Sequence, residues 1–172
     1  MMETRLFLET LPTPTGALRL VTDGAGAVRL LDWGEAGDAA GLRQRLSLGL
    51  GRVRLDAPPR ASAALVALDA YFGGEAAALD ALSVAPAGTP FQQQVWAALR
   101  TIPDGATASY GEIARRIGQP GAARAVGLAN NRNPIVLVIP CHRVIGASGA
   151  LVGYGGGLER KLWLLRHEGA MF

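Results

Sequence analysis

Hydrophobic and polar residues alternate over residues 5–33, and turn-forming residues interrupt the alternation. Residues 18–22 (Leu-Arg-Leu-Val-Thr) show it, Asp23-Gly24 follows, and residues 28–31 (Val-Arg-Leu-Leu) continue it. A period of two is typical of strands with one buried face, and Asp-Gly favours a tight turn. The pattern predicts two or three antiparallel strands.

Two segments with helical spacing of apolar residues follow. Residues 41–50 carry leucines four apart, a weak helix signal. Residues 62–71 begin a second pattern whose apolar face is Leu65, Leu68 and Phe72, closed by Gly73-Gly74. With the strands, they predict a small α/β lobe with an antiparallel sheet over residues 1–84. No pattern in this lobe indicates a catalytic site.

Residues 85–88 (Ala-Pro-Ala-Gly) are the best candidate linker to a second, mostly helical lobe over residues 85–172. The next residues form a helix start, in which Thr89 is the N-cap, Pro90 the first helical residue and Gln92 the partner in a capping box. The chain is therefore predicted to have an α/β (α+β) fold with two lobes.

Two short helices are predicted next, separated by a glycine-containing turn. Ser109 and Glu112 form a second capping-box pattern, which opens a helix through Ile117, and another helix runs from about Ala122 to Asn130. This arrangement is a candidate helix-turn-helix, although any corner between two packed helices has the same pattern.

The second of these helices consists almost entirely of small residues around Arg124. Small side chains allow a helix backbone to come close to whatever it faces. One interpretation is close packing against another helix. The other is a helix lying in a DNA groove, with Arg124 entering the base stack. The residues alone leave both open.

The apolar run of residues 135–139 ends at Pro140-Cys141-His142-Arg143. The run is short and rich in β-branched residues, so it predicts a buried strand or extended segment. Proline restricts the backbone there, and the chain's one cysteine follows it directly. A glycine-rich loop over residues 146–157 and a last amphipathic helix over about 158–167 complete the lobe.

Composition narrows the classes of function. The 172 residues are 49% hydrophobic with a net charge of +3, which is weak evidence for a nucleic-acid partner, although basic residues concentrate between 115 and 166. A single cysteine excludes an internal disulfide and multi-cysteine metal sites. No long apolar run or signal pattern occurs, so we expect a cytoplasmic protein without a membrane contact.

Cys141 is the candidate nucleophile, although a lone cysteine is most often a small buried apolar residue. A thiolate forms more readily beside a base, and His142 follows at once. Neighbouring side chains on an extended chain point to opposite faces, so a water between the two is expected. Glu168 or Asn133 could orient the histidine. From these residues alone, a cysteine hydrolase is a fair alternative.

Several separated motifs resemble, in the same order, the bacterial O6-alkylguanine-DNA alkyltransferases (methylated-DNA–protein-cysteine methyltransferases). They are Ala122–Gly127, Asn133-Pro134, Pro140–Ile145, Gly153–Gly157 and Leu164–Gly169. The resemblance covers roughly residues 85–170 and is looser over 1–84. It implies a DNA repair protein that removes alkyl groups from O6-alkylguanine, and from O4-alkylthymine. A lesion-sensing protein that binds without repair is the alternative.

The resemblance also implies catalytic roles. Cys141 would accept the alkyl group in a single irreversible transfer. His142 would take the thiol proton through a water, and Glu168 would hold its ring in the required tautomer. Tyr110 would donate a proton toward guanine N3 and crowd the neighbouring phosphate. Asn133 would tie the DNA-binding helix to the cysteine segment.

DNA and base contacts are implied in the same way. Arg124 would fill the place of the extruded nucleotide from the minor groove of double-stranded DNA, with Ala122, Ala123 and Ala125 beside it. The groups around the base would be Val144, Tyr154, Gly155 and Lys161, of which Gly155 offers only its N–H where some relatives carry serine. The protein would act as a monomer.

Vertebrate relatives hold zinc through cysteines of the N-terminal lobe. This chain has no cysteine there. We therefore predict no metal and no cofactor.

Overall fold

A four-stranded sheet lies at the centre of the first half of the computed structural model, which describes residues 2–34, 37 and 39–172. The strands are β1 (Thr4–Leu11), β2 (Leu18–Asp23), β3 (Val28–Trp33) and β4 (Val53–Asp56), in the order β3-β2-β1-β4. β2 pairs antiparallel with both β1 and β3, which confirms the prediction of two or three antiparallel strands.

β4 was not predicted, and it runs parallel to β1, so the sheet is mixed rather than purely antiparallel. Four residues are too few for alternation to stand out. The parallel direction follows from the intervening helix α1 (Ala39–Leu50), because a parallel pairing needs a crossover connection. Leu42 and Leu46 of α1 pack with Leu6, Val21 and Leu30 in one apolar cluster.

The predicted second helix is α2 (Ala63–Phe72). Ser62 is its N-cap and accepts a hydrogen bond from the Leu65 N–H. The Ser62 N–H in turn donates to the Glu9 carboxylate at 3.0 Å, which fixes the start of α2 to β1.

The second half contains four helices and two very short strands. They are α3 (Pro90–Leu99), β5 (Ala108–Ser109), α4 (Tyr110–Arg116), α5 (Ala123–Asn131), β6 (Val144–Ile145) and α6 (Leu158–His167). The predicted capping box of α3 forms in both directions, at 3.2 and 2.9 Å between Thr89 and Gln92. The four predicted helices of this half are confirmed, including the α4–α5 pair.

The division into two compact units falls between Ala87 and Gly88. The predicted boundary lies three residues earlier, after residue 84. Val84 forms a bridge with Val28, and the Ala85 N–H donates to the Val28 carbonyl at 2.8 Å. These contacts keep residues 84 and 85 with the first unit.

The predicted strand over residues 135–139 is wrong. The segment is buried but folds into a turn, in which the Ile139 N–H donates to the Ile135 carbonyl at 3.1 Å and Leu137 has a φ of 68°. Local hydrogen bonds satisfy backbone groups without a strand partner, so an apolar run can be buried without a sheet. Cys141–Arg143 then forms one turn of 3-10 helix instead of an extended exit.

Close contacts hold the helices of the second unit together. The Trp96 Nε1–H of α3 donates to the Ala129 carbonyl of α5 at 2.9 Å. Gly105 has a φ of +81°, and a Cβ atom there would lie 3.1 Å from the Glu168 carbonyl oxygen. Within the described ranges, no helix has the length and apolar character needed to cross a membrane.

Candidate active site

Cys141 lies at the start of the 3-10 turn and is 4% exposed. Two asparagines hold this segment, one in the last turn of α5 and one just after the helix. The Asn130 side chain donates to the Cys141 carbonyl at 3.4 Å, and the Asn133 side chain donates to the Ile139 carbonyl at 2.7 Å. Asn133 also accepts from the Ile135 N–H at 2.9 Å.

The tie predicted for Asn133 is therefore shared with Asn130, which the sequence analysis missed. Asn130 follows Val126 by four residues, so both lie on the same face of the helix. A polar residue on the buried face is the sequence signal that could have indicated this role.

A buried carboxylate joins three elements beside the cysteine. Glu168, the C-cap of α6, accepts from His142 Nε2 at 2.8 Å and from two nitrogens of Arg143 at 2.8 and 3.0 Å. Arg143 also donates to the Ile102 carbonyl at 2.7 Å. Burial alone would raise the pKa of Glu168, but the hydrogen bonds from His142 and Arg143 and the positive charge of Arg143 outweigh it and lower the pKa to about 2. Arg143 is thus an internal donor that keeps Glu168 ionised.

His142 is buried and neutral. Burial lowers its pKa, and the hydrogen bond to Glu168 opposes this shift without cancelling it. Because the ionised carboxylate only accepts, Nε2 carries the ring proton and Nδ1 keeps its lone pair. Nδ1 is buried and has no hydrogen-bond partner among the described residues. The ring is therefore held in the tautomer of a general base, with Glu168 as the orienting group.

The Cys141 thiol is protonated at neutral pH. Burial raises its pKa, while the nearby polar side chains of Asn133 and Tyr154 and the charge of Lys161 act in the opposite direction. A reaction at sulfur consequently needs a base to remove the proton and positive groups to stabilise the thiolate. The site provides both.

Lys161 of α6 is fully buried. Its ammonium donates to the Val144 carbonyl at 2.5 Å and to the Val152 carbonyl at 2.9 Å, and it lies 5.9 Å from the centre of the Tyr154 ring. Burial lowers the pKa of Lys161 to about 8, and a thiolate at Cys141 would act in the opposite direction. Lys161 therefore connects the glycine-rich loop to β6 near the sulfur.

Tyr110 links α5 with the cysteine. It starts α4 and is half-buried, and burial together with negative charge on Cys141 raises its pKa. A Cβ atom at Gly127 of α5 would lie 3.8 Å from the Tyr110 ring, an ordinary contact distance. One aromatic side chain thus contacts the helix that carries Arg124 and lies within electrostatic reach of the sulfur.

The remaining predicted site residues lie outside this cluster. Arg124 and Ala125 are exposed on α5, and Ala122 and Ala123 at its start are partly buried. Arg124 makes no side-chain hydrogen bond or ion pair with any described residue. Gly155 is exposed, and a Cβ atom there would meet nothing within 4 Å. Across the described part of the chain, no group of three or more His, Cys, Asp or Glu could hold a metal ion.

Comparisons with known proteins show which family the chain belongs to. Residues 90–170 match the family model of the 6-O-methylguanine DNA methyltransferase DNA binding domain. The chain is 47% identical over 170 residues to a methylated-DNA–protein-cysteine methyltransferase of Salmonella typhimurium, with 96% of each chain covered.

Two crystal structures are also similar. The Mycobacterium tuberculosis O6-methylguanine methyltransferase is 43% identical, with a TM-score of 0.75 over 95% of this chain and 93% of that one. The Mycobacterium tuberculosis OGT in complex with DNA is 44% identical, with a TM-score of 0.76 over 96% and 92%. On the sequence match along nearly its whole length, this chain belongs to the family of methylated-DNA–protein-cysteine methyltransferases.

Proposed function

We propose that this protein repairs DNA by moving the alkyl group of O6-alkylguanine onto Sγ of Cys141. The proposal rests on His142, which follows Cys141 in the chain. It is a neutral, buried histidine whose Nε2 donates a hydrogen bond to Glu168 at 2.8 Å. The alkyl carbon attached to O6 forms a bond with Sγ of Cys141 as its bond to O6 breaks, and guanine is the leaving group. The product thioether has no route back to the thiol, so each protein molecule reacts once.

The proton follows a defined route in this proposal. His142 Nδ1 takes the thiol proton through a water molecule, and the anionic Glu168 stabilises the imidazolium that forms. The raised pKa of Cys141 makes this step necessary, and the charge of Lys161 favours the thiolate. Tyr110 donates toward guanine N3, so that the departing base does not carry a full negative charge.

The second unit would carry both the chemistry and the DNA contact. Arg124, exposed and unpaired among the described residues, enters the stack from the minor groove of double-stranded DNA. The small residues Ala122, Ala123 and Ala125 allow α5 to lie close to the duplex. Val144, Tyr154 and Gly155 surround the extruded base, and Asn133 connects α5 to the cysteine segment. We expect a cytoplasmic monomer that also accepts O4-alkylthymine.

Intact-protein mass spectrometry tests the transfer. The wild-type protein is incubated with a duplex carrying one O6-methylguanine. We expect the protein to gain the mass of one methyl group, and proteolysis should locate this gain on the Cys141 peptide. Cys141→Ser is the matched variant, and an unmodified duplex is the substrate control. Transfer that persists in Cys141→Ser would refute the assignment. A duplex carrying O4-methylthymine tests the wider substrate range.

Binding without repair is the second candidate, because the cysteine is only 4% exposed and its pKa is raised. It predicts tight binding to the modified duplex with no change in mass. Repeated turnover would instead indicate a hydrolase. The number of methyl groups removed from DNA per protein molecule separates the three functions. It is one for repair, none for binding alone, and many for a hydrolase that turns over.

A further inference from the structure

Leu128 is a large apolar residue that α5 leaves 63% exposed. A helix turns about 100° per residue, so Leu128 points about 160° away from the fully buried Val126. Arg124 and Arg132 lie one turn before and one turn after it, and both are exposed. Leu128 is therefore at the centre of the outer face of α5.

The charge around Leu128 favours a polyanion as the partner. Neither Arg124 nor Arg132 makes a side-chain hydrogen bond or ion pair within the described ranges, and the same is true of exposed Arg115 on α4. Free guanidinium groups on both sides of an apolar residue match a duplex, whose phosphates line the groove edges while sugars and base steps lie between them. Proteins that bind the minor groove commonly insert such an apolar side chain between base steps.

We propose that Leu128 is an apolar wedge that enters the minor groove and holds a base step open while the damaged nucleotide is outside the stack. This inference rests on the proposed function, in which Arg124 occupies the vacated position. Four helical residues rise about 6 Å, and stacked base pairs are about 3.4 Å apart. With α5 lying along the groove, Leu128 thus reaches a step about two base pairs from the Arg124 position. It is a positioning residue, since it does not touch the reacting atoms.

Affinity for a duplex carrying O6-methylguanine tests the wedge. Binding is measured by fluorescence anisotropy in a Cys141→Ser background, which prevents transfer during titration. Leu128→Ala removes three carbons from the contact and is expected to weaken binding about tenfold. The salt dependence of binding should stay unchanged, because no phosphate contact is lost. Leu128→Met should restore most of the affinity.

A 2-aminopurine placed two base pairs from the lesion reports the opened step directly. Its fluorescence should rise on binding of the parent protein and rise less with Leu128→Ala. Val66→Ala is the matched control, since Val66 is 60% exposed on α2 and lies in the other unit. It should change neither affinity nor fluorescence.

Three results would overturn the wedge. One is a Leu128→Ala variant that matches Val66→Ala in affinity and fluorescence. Another is loss of transfer from free O6-benzylguanine in Leu128→Ala, which would show that the residue supports the active site itself. The third is a wild-type protein that self-associates in sedimentation without DNA and a Leu128→Ala variant that does not, with equal DNA affinity for both. That result would show that Leu128 contacts a second copy of this chain. If the wild-type protein transfers no alkyl group from the duplex or the free base, the proposed function fails instead.

Discussion

Replacing Glu168 by Gln tests the buried network with the smallest change in shape. The substitution keeps a hydrogen-bond acceptor but removes the charge that Arg143 and His142 face. The pKa of Glu168 is lowered from 4.5 to about 2, a difference of 2.5 units. At about 1.4 kcal/mol for each pKa unit, the ionised carboxylate contributes about 3.5 kcal/mol to the free energy of unfolding. Removing one partner of a buried ion pair typically lowers the free energy of unfolding by about 3–5 kcal/mol, which agrees with this value.

The sign of the pH dependence follows from the lowered pKa. The contribution is fully present above pH 4.5, where the unfolded carboxyl is ionised, and it is lost as the pH falls toward 2. The free energies of unfolding of the wild type and Glu168→Gln in urea should therefore differ by about 3.5 kcal/mol at pH 7. The difference should shrink below pH 4.5. The single-turnover rate of methyl transfer should fall about 10²–10⁴-fold, because His142 loses its orienting anion.

Glu159→Gln is the control, since Glu159 is exposed in the first turn of the same helix. It should change the free energy of unfolding by less than about 1 kcal/mol. A Glu168→Gln variant that unfolds like this control, with an unchanged rate, would refute the reasoning about the network.

Three further outcomes are expected. Lys161→Met removes the donor shared by the Val144 and Val152 carbonyls, so amide hydrogen exchange over residues 146–157 should become faster, as measured by mass spectrometry. Gly105→Ala should lower the free energy of unfolding more than Gly149→Ala does, by about 1 kcal/mol or more. Both glycines have positive φ, but only at Gly105 would a Cβ atom meet a neighbour within 4 Å, so equal effects would contradict the close-contact argument. Arg124→Ala should slow transfer from duplex DNA but leave transfer from free O6-benzylguanine unchanged, and a matching loss from the free base would contradict its placement at the DNA.

The sequence indicates some residues of the buried network around Glu168 but not the contacts between them. His142 follows Cys141 in the chain, so a sequence motif brings both into view. Arg143 also stands in that motif, yet its partners lie 25 and 41 residues away, at Glu168 and Ile102. Only the structure shows that its side chain lies in the interior.

The sequence by itself determined the features that depend on neighbours a few residues apart. Capping boxes and helix ends are local hydrogen-bond arrangements, and so the starts of α3 and α4 could be predicted. The alternating pattern of residues 5–33 likewise predicts its strands, because the alternation of apolar and polar side chains is visible within a few residues of the sequence. The cysteine motif was visible for the same reason.

Tertiary structure decided the features that depend on distant partners. β4 forms only because β1 offers an edge, and its four residues carry little pattern of their own. The apolar run after Asn133 has the composition of a strand, but its polar backbone groups are satisfied within a turn and by asparagine side chains. Burial of the run was predictable from its side chains, whereas its backbone shape depended on which groups were near enough to accept its hydrogen bonds.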